Sequence, residues 1–546
     1  MLLIQLRDSI SLKTRGPLFY LFILLMTGGL TFFLPIGLVF AHVSTNVPLD
    51  DFAYKDLDRL IAQGLIKSDL LGTRPITRME MARLIREARE NFANLYQHER
   101  RRLYLIQDTL LLLENEFNEE LQELTGSKGM VNTFIKPVER ISFYYRNQDN
   151  DHSIFNSEGL NYYDGSNVVV DFTMQARIKS NLGLFAQPRF VYRENKEDLK
   201  DIKGNEIEGS NIDFHKYYAK LTVRNLEMEY GKDSLWWGPS FHGALVMSNN
   251  AKPFKMFKLS NPAPIALPGL GLFKGNFIFT SLDSYRLNPV PSQEQFVTDH
   301  DNPYLLGLHL NFKPRPWFEF GINQINIYGG EGRENLDLYE HFDVFTNQNL
   351  GGRLSVNTET SAFFLFRWYN FDNFVPLSET LSLYGELGGE GEGYTSDNIA
   401  VQLGFLFGDF LKYGGRLQFR MEYINTTPFY DDIEPDWYNH NEYPVTYDGM
   451  VFGHHVGSNA EDIFARLSIL LNKKLEVGLQ ADLERHGTSL GTEERLLQGS
   501  IDAHYRFKEN FSILGSVGIE QVENVDFNKG ISEDRTFFSL LTRYSF

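Results

Sequence analysis

Residues 535–546 read RTFFSLLTRYSF, and apolar side chains return at every second position up to a terminal Phe. Phe538, Leu540, Tyr544 and Phe546 share one face, with Thr542 the single polar interruption. A period of two is that of a strand with one greasy side. A chain that stops on such an aromatic strand carries the pattern read by the outer-membrane barrel assembly machinery. Soluble sheets contain similar strands, so the fold turns on whether this one has siblings.

From Pro137 onward it does. In VVVDFTMQARI, Val170, Phe172, Met174, Ala176 and Ile178 face one way while Asp171, Thr173, Gln175 and Arg177 face the other. HKYYAKLTVR sets Tyr217, Ala219, Leu221 and Val223 against Lys216, Tyr218, Lys220, Thr222 and Arg224. RLQFRMEY, LEVGLQADLE and LLQGSIDAHYR repeat the alternation, with Arg416, Arg420, Glu422, Glu476, Asp482, Glu484, Asp502 and His504 among the polar positions. The segments run about 10 to 13 residues, the length of a tilted strand that crosses the hydrocarbon layer. A charged lumen and a lipid-facing band of apolar side chains follow. Short links such as 181–183, 224–225 and 508–510 alternate with long polar ones such as 195–210, 284–302, 329–348, 427–460 and 523–533. Short turns belong in the periplasm and long loops outside. Keeping that order requires one strand within about 254–261 and a single extended strand across roughly 350–371. The total is then about 18, an even number that returns both ends to the periplasm.

Composition agrees. The 546 residues include 45 Gly, no Cys and 14% aromatic side chains, which suits one large barrel spanning 131–546. Absence of Cys removes disulfides, thiol catalysis and thiolate metal sites. The formal charge is −19, and residues 1–41 carry Arg7, Lys13 and Arg15 against Asp8, so the remainder is more acidic still. Such acidity argues against nucleic acid as a partner. Residues 1–41 read as a signal peptide: a basic start, an apolar run from Pro17 to Phe40, and Val39 and Ala41 at the −3 and −1 positions of a cut. The alternative is an uncleaved anchor, since 24 apolar residues are enough to span a membrane.

Residues 42–130 read as helical. Asp51 to Gln63 places Phe52, Leu57, Leu60 and Ile61 on one side and stops at Gly64, which suits a C-cap. Thr77 to Glu80 forms a capping box that opens a second helix, and a third is expected from about Gln97 to Leu124. LDRLIAQGLI followed by ITRMEMARLI resembles one repeat of an S-layer-homology module, which implies contact with peptidoglycan; a small structural bundle is the alternative. With both chain ends inside, these helices belong on the periplasmic side.

Unusual chemistry is confined to loops. Trp236 and Trp237 lead into Gly238-Pro239 and, further on, Asn249-Asn250. Aromatic faces stack on the C–H faces of sugars, and amide side chains donate to and accept from vicinal hydroxyls. The same segment also reads as an interfacial aromatic girdle with a loop folded into the barrel. Asp431, Asp432, Glu434 and Asp436 beside Trp437 and Tyr438 suit a sugar, Ca²⁺ or a solvated acidic loop. His454 and His455 are adjacent, so in an extended segment their side chains diverge; no metal site and no cofactor is expected. There is no G-x-S-x-G elbow, no H-E-x-x-H and no phosphate loop, and no catalytic residue is assigned.

Three stretches carry a family resemblance. GKDSLWWGPSFHGALVMSNNAKPF closely resembles the WWGP…S-x-N-A-x-P segment of the capsule assembly Wzi family of outer-membrane proteins. LSLYGELGGEGEG resembles its strand that ends in an acidic loop, here Gly-rich without paired acids, and YDGMVFGHHVGSNAEDIFARL resembles its G-x-x-x-G-H-x-x-G segment. The resemblance spans roughly 140–546. It implies a barrel of about 18 antiparallel strands with a periplasmic helical bundle, in which long extracellular loops close the outer end. It also implies an outer-membrane lectin, not an enzyme, that attaches or organises capsular or exported polysaccharide. Trp236, Trp237, Asn249, Asn250, Trp437, Tyr438 and His454 are the candidate contact residues. A porin or diffusion channel whose helical region touches the cell wall is the competing reading, because a charged lumen suits both.

Overall fold

The computed structural model describes residues 42–126, 133–149, 155–194, 209–283, 286–288, 295–297, 301–347, 353–391, 398–427 and 437–546. The expected signal segment and Asp431, Asp432, Glu434 and Asp436 lie outside them.

Eighteen antiparallel strands form a closed barrel. They are β1 (Thr133–Gln148), β2 (Gly165–Ile178), β3 (Leu182–Arg193), β4 (Ser210–Val223), β5 (Leu226–Asp233) and β6 (Phe254–Ser260, prolonged by Ile265–Leu267). Next come β7 (Gly271–Ser281), β8 (Tyr304–Arg315), β9 (Phe318–Tyr328), β10 (Val356–Tyr369), β11 (Ser378–Gly391) and β12 (Asn398–Phe410). The circuit ends with β13 (Leu417–Asn425), β14 (Ala460–Asn472), β15 (Leu475–His486), β16 (Glu494–Lys508), β17 (Phe511–Glu523) and β18 (Ser532–Ser545). Closure is by the final strand on the first, from Arg140 opposite Ser545 to Gln148 opposite Phe537. Both strands required by loop parity are present, as β6 and β10.

Alternation sets the faces. Leu479, Leu483, Leu497, Ile501, Ile519 and Phe538 stand exposed on the outer surface, whereas Lys216, Lys220, Glu476, Asp482, Glu484 and Gln498 are buried inside. An apolar outside around a polar inside is stable only where lipid covers the wall. Links at one end are short, such as 179–181, 224–225 and 473–474. At the other end they are long, such as 194–209, 329–355 and 426–459.

The helices of residues 52–124 occupy the short-link end, and one further helix, Leu338–Asn347, lies in the long link between β9 and β10. Helix α1 (Phe52–Ala62) begins at Asp51, whose side chain accepts from the Ala53 N–H at 2.9 Å, and ends at Gly64 with a φ of 69°. Helix α2 (Arg78–Ala93) begins at Thr77, whose hydroxyl accepts from the Glu80 N–H at 3.2 Å. The Glu80 carboxylate turns to Arg83, so half of the expected capping box forms. The single helix expected over 97–124 is instead three: α3 (Gln97–Arg102), α4 (Tyr104–Glu116) and α5 (Asn118–Leu124). The breaks fall at Leu103 and Phe117, which leave helical geometry and bury their side chains in the bundle core.

The bundle is tied to the wall by charge. Asp69, between α1 and α2, meets Lys313 on β8 at 3.0 Å and Arg367 on β10 at 2.7 Å. Asp56 and Asp58 on α1 meet Arg506 at 2.7 Å and Arg420 at 2.8 Å, and Arg59 meets Glu476 at 3.3 Å. Burial works against the Asp69 charge, yet Arg367 and Lys313 outweigh it and hold its carboxyl at about 2.

Candidate functional site

After β5 the chain turns into the lumen instead of away from the membrane. Trp236–Trp237 pair antiparallel with Thr73–Arg74 from the helical region, Trp237 opposite Thr73. The Gly238 N–H donates to the Gly72 carbonyl at 2.8 Å. The Trp237 ring stacks on His309 of β8, with centroids 5.3 Å apart, and the Arg74 guanidinium lies 4.7 Å over the Trp236 ring. The two lumen fillings therefore meet through a short strand pair.

Wall carboxylates receive the backbone of this inserted segment. Glu422 on β13 accepts from the Phe241 and His242 N–H groups at 2.8 and 2.9 Å. Glu386 on β11 accepts from the Leu245 N–H at 3.4 Å and from Ser361 and Asn323 at 2.5 and 3.0 Å. The second insertion, 437–459, hangs on the same strand: Glu390 accepts from the Tyr438 N–H at 2.5 Å. The Tyr438 hydroxyl then donates to the Leu245 carbonyl at 2.5 Å and accepts from the His454 N–H at 2.8 Å. One phenol thus fastens the two insertions together. A charged acceptor facing backbone donors costs less to bury than one left bare.

Apolar contact completes the filling. Trp237, Leu245, Val246, Met247, Trp437, Tyr438, Val445 and Phe452 form one core with inward residues of β6–β9, β12 and β13, including Met256, Ile278, Leu305 and Ile325. Such a core inside a barrel demands close approach. A side chain at Gly388 would come within 2.7 Å of the Trp437 ring, and one at Gly243 within 2.0 Å of His454. Gly388 of LSLYGELGGEGEG therefore gives clearance for Trp437.

All seven candidate contact residues are buried. Trp237, Trp437 and Tyr438 belong to the luminal core, and Asn250 binds the second insertion through its amide, which donates to the Val451 carbonyl at 2.9 Å. His454 and His455 do not diverge. The Gly457 N–H donates to the His454 carbonyl at 3.2 Å, so the segment is a turn, not extended backbone, and the two rings lie 4.3 Å apart. Burial pushes both imidazoles well below the usual histidine range, with neighbouring histidines adding to it. For His242 burial acts in the same sense, but Asp482 outweighs it and raises the imidazole.

Trp236 and Asn249 differ from the other five. Both line a luminal cavity of about 530 Å³ between the helical region, the insertion and the wall near the β1–β18 closure. Tyr144, Tyr162, Phe155 and Phe241 share its lining with Lys55, Asp58, Asp171 and Arg189. Trp236 Nε1 and Asn249 Oδ1 make no hydrogen bond within the protein. The sequence singled out Trp236 and Asn249 but missed Tyr144 and Tyr162, whose rings lie 5.3 Å apart and belong to a strand and a loop distant from the WWGP segment.

Comparison with known proteins converges on one family. The Capsule assembly protein Wzi family profile matches residues 144–536. A Klebsiella pneumoniae protein described as an uncharacterized 55.8 kDa protein in the cps region is 25% identical over 202 residues, 36% of this chain and 37% of that protein. The matched stretch thus spans little more than a third of that relative. Among solved structures, Escherichia coli Wzi, an outer-membrane carbohydrate-binding β-barrel involved in group 1 capsule assembly, superposes with a TM-score of 0.66 at 15% identity. The superposition covers 93% of this chain and all of that one. Acinetobacter baumannii OccAB2 follows at a TM-score of 0.47 and 11% identity, over 75% of this chain and 98% of that one. The WWGP, glycine-rich strand and G-H-x-x-G segments thus lie within a matched family region, and this outer-membrane barrel belongs to the capsule assembly protein Wzi family.

Proposed function

We propose that the protein is a closed outer-membrane barrel that binds capsular or exported polysaccharide and holds it at the cell surface without covalent chemistry. The observation that carries this reading is the double filling of the lumen. Helices enter from one end and two aromatic insertions from the other, which leaves a cavity lined by aromatic and charged side chains. A volume of about 530 Å³ falls within the range of small-ligand sites, roughly 300–1,000 Å³. Aromatic faces beside amide, carboxylate and guanidinium groups are the chemistry that recognises a pyranose ring. Family membership supports the same ligand class.

In this reading the short-link end and its helices face the periplasm and the long links face outward. The apolar outer wall contacts lipid, and the last strand is the one read by the assembly machinery. Trp236 and Asn249, with Tyr144 and Tyr162, make the sugar contact; Trp237, Asn250, Trp437, Tyr438 and His454 hold the insertions that present it.

The test is retention of capsular polysaccharide by the purified full-length protein on a blot, together with planar-bilayer conductance. Wild type retains polysaccharide and stays closed, and Trp236→Ala and Tyr162→Ala weaken retention while the protein still runs as a folded barrel. Steady open channels without retention would establish the porin reading instead. Retention unchanged in both variants would remove the cavity as the site.

A further inference from the structure

The outer part of the lumen holds a second cluster, separate from the cavity lining. His242 comes from the first insertion, His454 and His455 from the second, Asp462 from β14, and Asp482 and Glu484 from β15. His455 Nε2 lies 3.4 Å from Glu484 Oε1 and 3.6 Å from Asp462 Oδ2. His242 Nε2 lies 3.6 Å from the same Asp462 oxygen and 2.9 Å from Asp482 Oδ2. Two donors each about 2.1 Å from one ion at a tetrahedral angle are about 3.4 Å apart. Two of these four separations are too long for a hydrogen bond, the 3.4 Å pair makes none, and all three suit sharing a cation.

The polar accounting agrees. The His455 side chain is 2% exposed, yet its Nε2 makes no hydrogen bond. Asp462 Oδ1, Asp482 Oδ1 and Glu484 Oε1 are equally buried and without hydrogen-bond partners. Among the described residues no Lys or Arg pairs with Asp462, Asp482 or Glu484, whereas Asp69, Asp171 and Asp502 elsewhere in the lumen each have a cationic partner. Three buried carboxylates that face one another with only imidazoles for partners are costly. Their surroundings are those of a metal shell: His486 Nε2 holds the other Glu484 oxygen at 2.7 Å, and the Phe155 ring covers His455 at 4.2 Å.

We propose that His242, His455, Asp462, Asp482 and Glu484 bind one divalent first-row transition-metal ion. Mixed imidazole and carboxylate donors favour such an ion over Ca²⁺ or Mg²⁺, which take oxygen ligands. The ion clamps both insertions to β14 and β15, so the filling of the outer lumen depends on it.

The experiment uses full-length protein in detergent, stripped with EDTA, dialysed, and titrated with Zn²⁺ by calorimetry. Metal content is measured after desalting, and the unfolding midpoint with and without Zn²⁺. The expected result is one Zn²⁺ per chain retained through desalting, a raised midpoint, and no displacement by excess Ca²⁺. His455→Gln and Asp462→Asn each weaken binding about tenfold or more, while Asp502→Asn, whose carboxylate pairs with Arg466, leaves it unchanged. Asp462→Asn keeps the volume and removes a charge, so it remains a folded test if His455→Gln does not fold. Failure of wild type to retain Zn²⁺, or retention equal in folded Asp462→Asn, would overturn the proposal.

Discussion

The helical bundle and the inserted loops fill the same lumen by different physics. The bundle carries its own core and meets the wall through paired side chains, as Asp69 does with Lys313 and Arg367 and Asp56 with Arg506. The insertions share their core with the wall and offer it backbone N–H groups, which Glu386, Glu390 and Glu422 accept. A unit that folds on itself needs only charge complementarity at its surface. Loops with only two-residue strand pairs must borrow both a core and hydrogen-bond partners.

The largest break in this comparison comes from Trp437→Ala. Trp437 is 0% exposed in the shared core, and truncation costs about 3–5 kcal/mol. Limited proteolysis then opens 437–459 while the helices stay protected; cleavage in the helices first would show that the two fillings are not separable.

Asp69→Asn acts on the other side. It strands the buried Arg367 and leaves Lys313 only the more distant Glu319, at a cost of about 3 kcal/mol. Hydrogen exchange is expected to rise in the bundle and not in the insertions. Because the folded carboxyl sits at about 2, below its usual 3.8, its contribution is present above pH 3.8 and lost only as pH falls through about 2. Wild type therefore keeps this anchor at pH 5, and bundle exchange that accelerated between pH 7 and 5 at constant intrinsic rate would contradict it.

Glu422→Gln is smaller, about 2 kcal/mol, since one amide oxygen replaces a charged acceptor of two N–H groups and of the Tyr384 hydroxyl. A lower unfolding midpoint with enhanced proteolysis near Phe241 checks it. Asp58→Asn is smallest. Its carboxylate is about one-third exposed beside Arg420, so the loss is about 0.2–1 kcal/mol in the same unfolding experiment.

The barrel was legible in the sequence because a bilayer imposes both the length of each strand and the chemistry of each face. That is why VVVDFTMQARI and HKYYAKLTVR sort correctly into lipid and lumen. Helix α1 was equally legible from Asp51 and Gly64, which act locally. The breaks at Leu103 and Phe117 were not, because these residues continue an apolar helical pattern and leave it only to reach a core assembled from distant helices. The Trp236-Trp237 pair announced itself by composition, but its burial depends on His309, Thr73 and Arg74, about 70 to 165 positions away. The adjacent His454 and His455 were misread for a related reason: neighbours diverge in a strand, and the turn closed by Gly457 turns them together.

Local alternation, capping and loop length are enough to specify an 18-stranded outer-membrane barrel with helices at one end, since each rule acts over a few residues. Which loops enter the lumen, which glutamates receive them, and how His242, His455, Asp462, Asp482 and Glu484 come to face one another required the closed barrel. Those contacts join segments up to 240 residues apart, and their energies arise only when wall, helices and insertions occupy one enclosed volume.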